Sequence, residues 1–252
     1  MRFCVAVPCF FKNEDFAEAI RKIGALGFDA AETYNWKSLD LDAVRAACDE
    51  MGVELISICT SDFGLTVPGN REKYLSCLRE SCEAAKKLGA RKLITQSGPD
   101  TGEPRDVQHG RMVSLLRDCA PILKEYDITL MIEPLNTYVN HPDIYLWSSA
   151  EAFDIIKEVD SPHVRVIFDI YHQQIMEGNI LPNILNNLEY IAHLHSAGTD
   201  GRHELWLGES NYEYIFEKID SSGYIGACGL EYGPTLPPKE SLLLTREKYL
   251  NT

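Results

Sequence analysis

The sequence predicts an α/β protein folded as a single (β/α)8 TIM barrel over residues 1–252. Three observations point there. Amphipathic helices alternate with short apolar strands along the whole chain, which implies βα units and a parallel sheet. Eight such units fit within 252 residues, the usual size of this barrel. The longest irregular stretches (SDFGLTVPGN, SGPDTGEPRD, NTYVNHPD and SAGTDGRHELWLGESN) all follow strands. A barrel gathers them over the C-terminal rim of its strands, where barrel enzymes carry their chemistry. A doubly wound open sheet is the competing arrangement, but no GxGxxG or P-loop follows any strand, and eight units would overfill it.

The elements run in order. FCVAV is the first strand. The helix DFAEAIRKIGALG leads to the strand FDAAET, LDAVRAACDEMG to VELISIC, and REKYLSCLRESCEAAKKLG to ARKLITQS. Gly27, Gly52 and Gly89 stand where a left-handed residue ends each helix. RMVSLLRDCAPILKEYD then leads to ITLMIEP. AEAFDIIKEV leads to VRVIFDI, opened by the capping-box spacing of Ser148 and Glu151. A helix through ILPNILNNL leads to YIAHLHS, YEYIFEKIDSSG leads to YIGACGLEY, and KESLLLTREKYL closes the chain. No linker or low-complexity tract interrupts the pattern.

The formal net charge of −14 works against binding a polyanion such as nucleic acid. It suits a protein acting on a small molecule. The eight cysteines show no CxxC pair, and a chain of this size needs no staples, so reduced thiols and a cytoplasmic location are expected. MRFCVAVPCFF lacks the basic n-region of a secretory signal, and no apolar run approaches the ~18 residues of a membrane span.

Four chemistry-bearing residues fall near the ends of four consecutive predicted strands: Glu133, Asp169, His195 and Glu231. A carboxylate at the end of a buried strand is costly unless paired or metal-bound. Each has a bland alternative. Glu133 and Glu231 could be strand-end ion pairs, and Asp169 could be a helix N-cap. Their joint occurrence, one per strand, favours a shared divalent-cation site. His193 and His195 share a strand face; His195 is nearer the rim and is the expected ligand, with His193 a layer below. His172, one helical turn after Asp169, could hold a substrate oxygen or relay a proton. Glu32 ends the second strand and could reach the site or an ion-pair partner. Arg202 could bind a carboxylate or phosphate, and Trp206 could cover the site or pack on the barrel top.

Carboxylates become adequate bases for a C–H bond when a divalent cation chelates the neighbouring carbonyl and hydroxyl oxygens. One glutamate then removes the proton and the other returns it, giving isomerisation or epimerisation. No G-x-S-x-G and no Cys beside a His suggests a nucleophile.

The chain resembles the hydroxypyruvate isomerase family of the xylose-isomerase-like superfamily over nearly its whole length. The resemblance is strongest in GFDAAE, EPLN…HP…SSAEAF, DIYHQQIMEGN, GRHE and GYIGACGLEY. It implies one Mn2+, Mg2+ or Co2+ held by Glu133, Asp169, His195 and Glu231. It implies Glu133 and Glu231 as the acid/base pair, with His172 and Arg202 on substrate oxygens. Hydroxypyruvate isomerases interconvert hydroxypyruvate and tartronate semialdehyde, and family members are often dimers or tetramers. Two features depart from the family pattern: Leu205 and Trp206 after GRHE, where Pro and Gly are usual, and His195, where some members carry Gln. The alternatives are a ketose 3-epimerase using the same glutamates and a non-catalytic sugar-acid binder. A multi-zinc nuclease of the same barrel is disfavoured, because all seven histidines lie at or after residue 109.

Overall fold

The structure, a computed structural model, describes residues 1–250. Eight strands close in chain order into one parallel barrel. They are β1 (Arg2–Ala6), β2 (Ala30–Thr33), β3 (Glu54–Cys59), β4 (Lys92–Gln96), β5 (Thr129–Glu133), β6 (Val164–Asp169), β7 (Ile191–Ser196) and β8 (Ala227–Leu230). β8 returns to β1, with Phe3 opposite Cys228. Helices α2 (Phe16–Ala25), α3 (Leu41–Met51), α4 (Arg71–Leu88), α5 (Arg105–Tyr126), α6 (Ser149–Val159), α9 (Tyr212–Ser221) and α10 (Pro238–Leu250) surround it.

Alternation along each strand builds two cores. One face packs on the helices in a continuous apolar layer that includes Phe3, Val5, Leu55, Leu130, Phe168 and Leu194. The other face fills the barrel with small clusters such as Cys59, Ile94, Met131 and Ile167. All eight cysteines are free thiols, as expected.

The helix ends follow the sequence signals. Gly27, Gly52 and Gly89 are left-handed, and Ser148 caps α6 by accepting from the Glu151 N–H. Asp127 and Asp160 take the same left-handed position without being glycine.

Three local features depart from expectation. A one-turn helix α1 (Val7–Phe10) follows β1 directly. Helix α5 begins at Arg105 rather than Arg111, because Pro104 at its N-cap starts the helix inside the stretch read as loop. The segment after β6 holds two short helices, α7 (Ile170–Met176) and α8 (Ile180–Leu185), where one was expected. Left-handed Gly178 and Asn179 break the chain between them. Among the described residues no helix is long and apolar enough to cross a membrane.

Candidate active site

The register of the barrel brings the strand-end residues to one rim. Asp169 on β6 lies opposite His195 on β7, which lies opposite Gly229 on β8. Glu231, just past β8, is tied by its backbone N–H to the Ser196 carbonyl at 3.0 Å. Glu133 closes β5 beside Gln96. Asp169 also caps α7: its Oδ1 accepts from the Tyr171 N–H at 2.7 Å. Cap and ligand were rival roles in the sequence; Oδ1 makes the cap, and Oδ2 is left buried without a hydrogen-bond partner.

Glu133, Asp169, His172 and Glu231 each offer an atom within 4.8 Å of the others. His195 Nδ1 lies 3.0 Å from Glu231 Oε2 and 3.4 Å from Glu133 Oε1. It is aligned with neither as a hydrogen bond. Glu133 Oε1, Asp169 Oδ2, His172 Nε2, His195 Nδ1 and Arg202 Nε are buried without a hydrogen-bond partner. Each such group costs about 1–3 kcal/mol, so five around one point are best explained by a ligand they are built to receive.

The charges are unevenly held. Burial pushes Asp169 up to about 7, with the Glu231 charge adding and Arg202 opposing. Burial likewise raises Glu133, against the pull of His195. Glu231 is buried too, but Arg202 and His195 outweigh that and hold it well below the usual carboxylate range. Burial alone would depress His195; the carboxylates of Glu32 and Glu231 overcome it and hold the imidazole well above its ordinary value.

His172 has a fixed tautomer. Its Nδ1 accepts from the Asn136 backbone N–H at 3.1 Å and faces the Asn136 side-chain Nδ2 at 2.7 Å. That amide's orientation is set by Oδ1, which accepts from the N–H groups of Val139 and Asn140. Nε2 therefore carries the proton, 3.5 Å from Asp169 Oδ2. Burial and Arg202 keep the ring neutral. A protonated Nε2 has no lone pair for a cation, so His172 presents a hydrogen-bond donor to the rim.

Arg202 reaches the rim from the loop after β7, donating to Glu231 at 2.5 Å with Asp169 3.6 Å away. Its own backbone is left-handed, as is Gly201 before it. The next residues fasten this loop to the one after β8. The Arg202 carbonyl accepts from the Gly233 N–H, and His203 Nδ1 donates to the Gly233 carbonyl. Glu204, fully buried, accepts from the Thr235 N–H and hydroxyl and the Leu236 N–H.

Three further candidates are engaged with other residues of the chain, His193 in the lower layer that the sequence suggested. Glu32 and His193 are fully buried a layer beneath His195. The Glu32 carboxylate is engaged by His193 Nε2 at 3.1 Å, Ser57 Oγ at 2.8 Å and the edge of His195 at 3.1 Å. Glu32 Oε2 is taken up by His193 and Ser57 while Oε1 faces the underside of His195, so the pair lies beneath the rim rather than on it. The Trp206 ring lies under the Lys248 ammonium of α10, 5.7 Å from its centroid. Sequence reasoning missed Asn136, Glu204 and Gly229. Only Gly229 carried a signal, a glycine inside a strand, which marks close approach by a neighbour.

The donor set fits a divalent cation. Three carboxylates and one imidazole are hard-to-borderline ligands; the carboxylates lie within 4.8 Å of one another, and His195 Nδ1 is 3.0 and 3.4 Å from two of them. A cavity of about 430 Å3 adjoins the rim, lined by Phe63, Gln96, His141 and Ile144. The His141 ring lies 5.5 Å from that of His172, tilted by 55° to it. A cavity of about 460 Å3 between α1, α2 and the loop after β2 is lined by none of the rim carboxylates.

The model of the family described as xylose isomerase-like TIM barrel matches residues 18–248. A Danio rerio protein named putative hydroxypyruvate isomerase is 30% identical over 249 residues, covering 93% of this chain and 90% of its own. A Cupriavidus necator protein named 2-oxo-tetronate isomerase is 29% identical, covering 92% and 93%. A solved structure from Brucella melitensis, titled AP endonuclease, family 2, superposes with a TM-score of 0.92 at 27% identity, covering 98% and 99%.

Proposed function

This chain belongs to the xylose isomerase-like TIM-barrel family, and its relatives mark it as an isomerase; we propose that it is a metal-dependent one, interconverting small hydroxy-keto acids through an enediolate. The observation that carries this reading is the group of buried, unpartnered polar atoms that successive strands deliver to one rim. Glu133, Asp169, His195 and Glu231 would hold one Mn2+, Mg2+ or Co2+. When bound, the cation would polarise the substrate carbonyl and stabilise the charge that develops as the proton leaves.

The chain's own residues perform the rest. Glu133 and Glu231, whose carboxylates come within 4.8 Å of each other, act as the acid/base pair. One takes the proton from the hydroxyl-bearing carbon, and the other delivers one to the former carbonyl carbon. The neutral His172 donates its Nε2 proton to a substrate oxygen. Arg202 steadies Glu231 and offers Nε to the substrate carboxylate. With hydroxypyruvate the carbon-bound proton leaves C3 and returns at C2 while the C3 hydroxyl proton passes to the C2 oxygen, so the product is tartronate semialdehyde and the atoms balance.

A second reading has a specific observation behind it. The cavity of about 430 Å3 beside the rim exceeds what a three-carbon acid fills and offers the polar groups of Gln96, His141 and Asp143. That suits a four-carbon keto acid, or a five- or six-carbon ketose undergoing 3-epimerisation by the same glutamates.

NMR in D2O decides. Mn2+-loaded protein is incubated with hydroxypyruvate, a four-carbon 2-oxo acid and a panel of ketoses. Exchange at C3 of hydroxypyruvate with tartronate semialdehyde appearing supports the first reading. Exchange only at C3 of a ketose supports the epimerase, and no exchange with any substrate overturns both.

A further inference from the structure

We infer that Glu32 is the positioning residue for His195, and that Gly229 keeps open the space in which the two meet. This rests on the cation reading of the rim. A ligating imidazole needs an acceptor for its far N–H, which fixes ring orientation and turns the other nitrogen's lone pair toward the cation. The structure places a carboxylate oxygen within reach of that nitrogen, with neither atom hydrogen-bonded to any other group. Glu32 Oε2 is pinned from two sides, by Ser57 Oγ at 2.8 Å and His193 Nε2 at 3.1 Å. Oε1 is left buried without a hydrogen-bond partner. It stands 3.1 Å from His195 Nε2, while His195 Nδ1 faces Glu133 and Glu231 on the opposite edge of the ring.

Gly229 is an independent observation on the same pair. A Cβ there would lie 2.3 Å from Glu32 Oε1 and 2.5 Å from His195 Cδ2, closer than atoms can approach. Its backbone is not left-handed. Glycine is required there for space rather than for conformation. The strand that ends in Glu231 thus also holds back its own side chain, so that the β2 carboxylate and the β7 imidazole come together.

The test is Mn2+ binding to the full chain, by calorimetry, with the 14N modulation of the Mn2+ electron spin echo as a direct signature of imidazole ligation. Glu32→Gln should weaken binding 10–100-fold and alter or abolish the nitrogen signal. Because Glu32 acts through His195, the double variant with His195→Ala should bind no more weakly than His195→Ala alone. Wild-type affinity and nitrogen coupling in Glu32→Gln, or losses that multiply in the double variant, would overturn the inference. If Glu32→Gln does not fold, Gly229→Ala carries the test. Its Cβ should displace the ring and cost at least tenfold in affinity, and unchanged affinity refutes the pairing. If the wild-type chain binds no Mn2+, the cation reading of the rim fails first and this inference with it. Failure of the Glu32 and Gly229 variants alone leaves the cation reading standing.

Discussion

Removing the Glu204 carboxylate should loosen the fold by a calculable amount. Glu204 is fully buried and accepts from Thr235 N–H at 2.9 Å, Thr235 Oγ1 at 2.9 Å and Leu236 N–H at 3.2 Å. Hydrogen bonds to a charged group contribute about 1.5–3 kcal/mol each where the freed partner stays buried. Here the donors lie on a partly buried loop and regain water, so about 1 kcal/mol per bond is the better figure. Three bonds give about 3 kcal/mol. In a chain of this size each kcal/mol moves the melting temperature by about 2–4 °C. Glu204→Ala should therefore melt about 6–12 °C below the parent. Glu204→Gln should fall between them, since its amide oxygen still accepts while its NH2 opposes a donor. Differential scanning calorimetry of the metal-free proteins reads both. A drop below about 3 °C for Glu204→Ala, or a Gln variant as stable as the parent, would refute the reasoning.

Glu133→Gln and Glu231→Gln should each lower kcat by about 10²–10⁴-fold, the usual contribution of a positioned acid or base, with melting temperature retained; near-parental turnover in either would sink the two-base scheme. Chelator treatment should abolish turnover, and Mn2+ at about 100 times its Kd should then stabilise the fold by about 2.7 kcal/mol, visible as a higher melting temperature. A pH effect follows from His193, which burial pushes down to about 4 against the opposing charge of Glu32. Unfolded, it titrates near 6.5, so between those values the unfolded chain binds more protons. Its contribution is therefore full above about 6.5 and is lost as pH falls toward 4, by about 3 kcal/mol. His193→Gln should flatten the stability profile over that window, as read by urea unfolding at half-unit steps.

Much of the site was legible because each rim residue breaks a pattern. Glu133 and Asp169 end runs that are otherwise apolar, and a carboxylate has no reason to finish a buried strand unless something pairs with it. The alternation of helix and strand fixed the barrel for the same reason: strands covered on both faces read as short apolar runs. What stayed hidden depends on distance through the fold. Glu32 looked like a rim residue because it stands near the end of its strand. Its partner His193 is 161 residues away, and no local pattern reports that pairing. Asn136 fixes the His172 tautomer partly with its backbone N–H, which every residue but proline owns. Glu204 reads as a solvated loop charge until the loop after β8 is folded over it. Helix α5 was shortened because the stretch before it is rich in Gly and Pro, although Pro104 is a helix opener at that position.

The knots between residues 202–204 and 233–236 divide the mouth of the barrel into unequal halves. One half, carrying Arg202 and Glu231, is a fixed wall against which the reacting carbons would be pressed. The other, formed by the loops after β3, β4 and β5, is an open flank around Phe63, Gln96, His141 and Ile144. Substrate tail length would then be read entirely on the flank. On the proposed reading, altering those loops alone would exchange one hydroxy-keto compound for a longer one while the residues of the fixed wall stayed as they are.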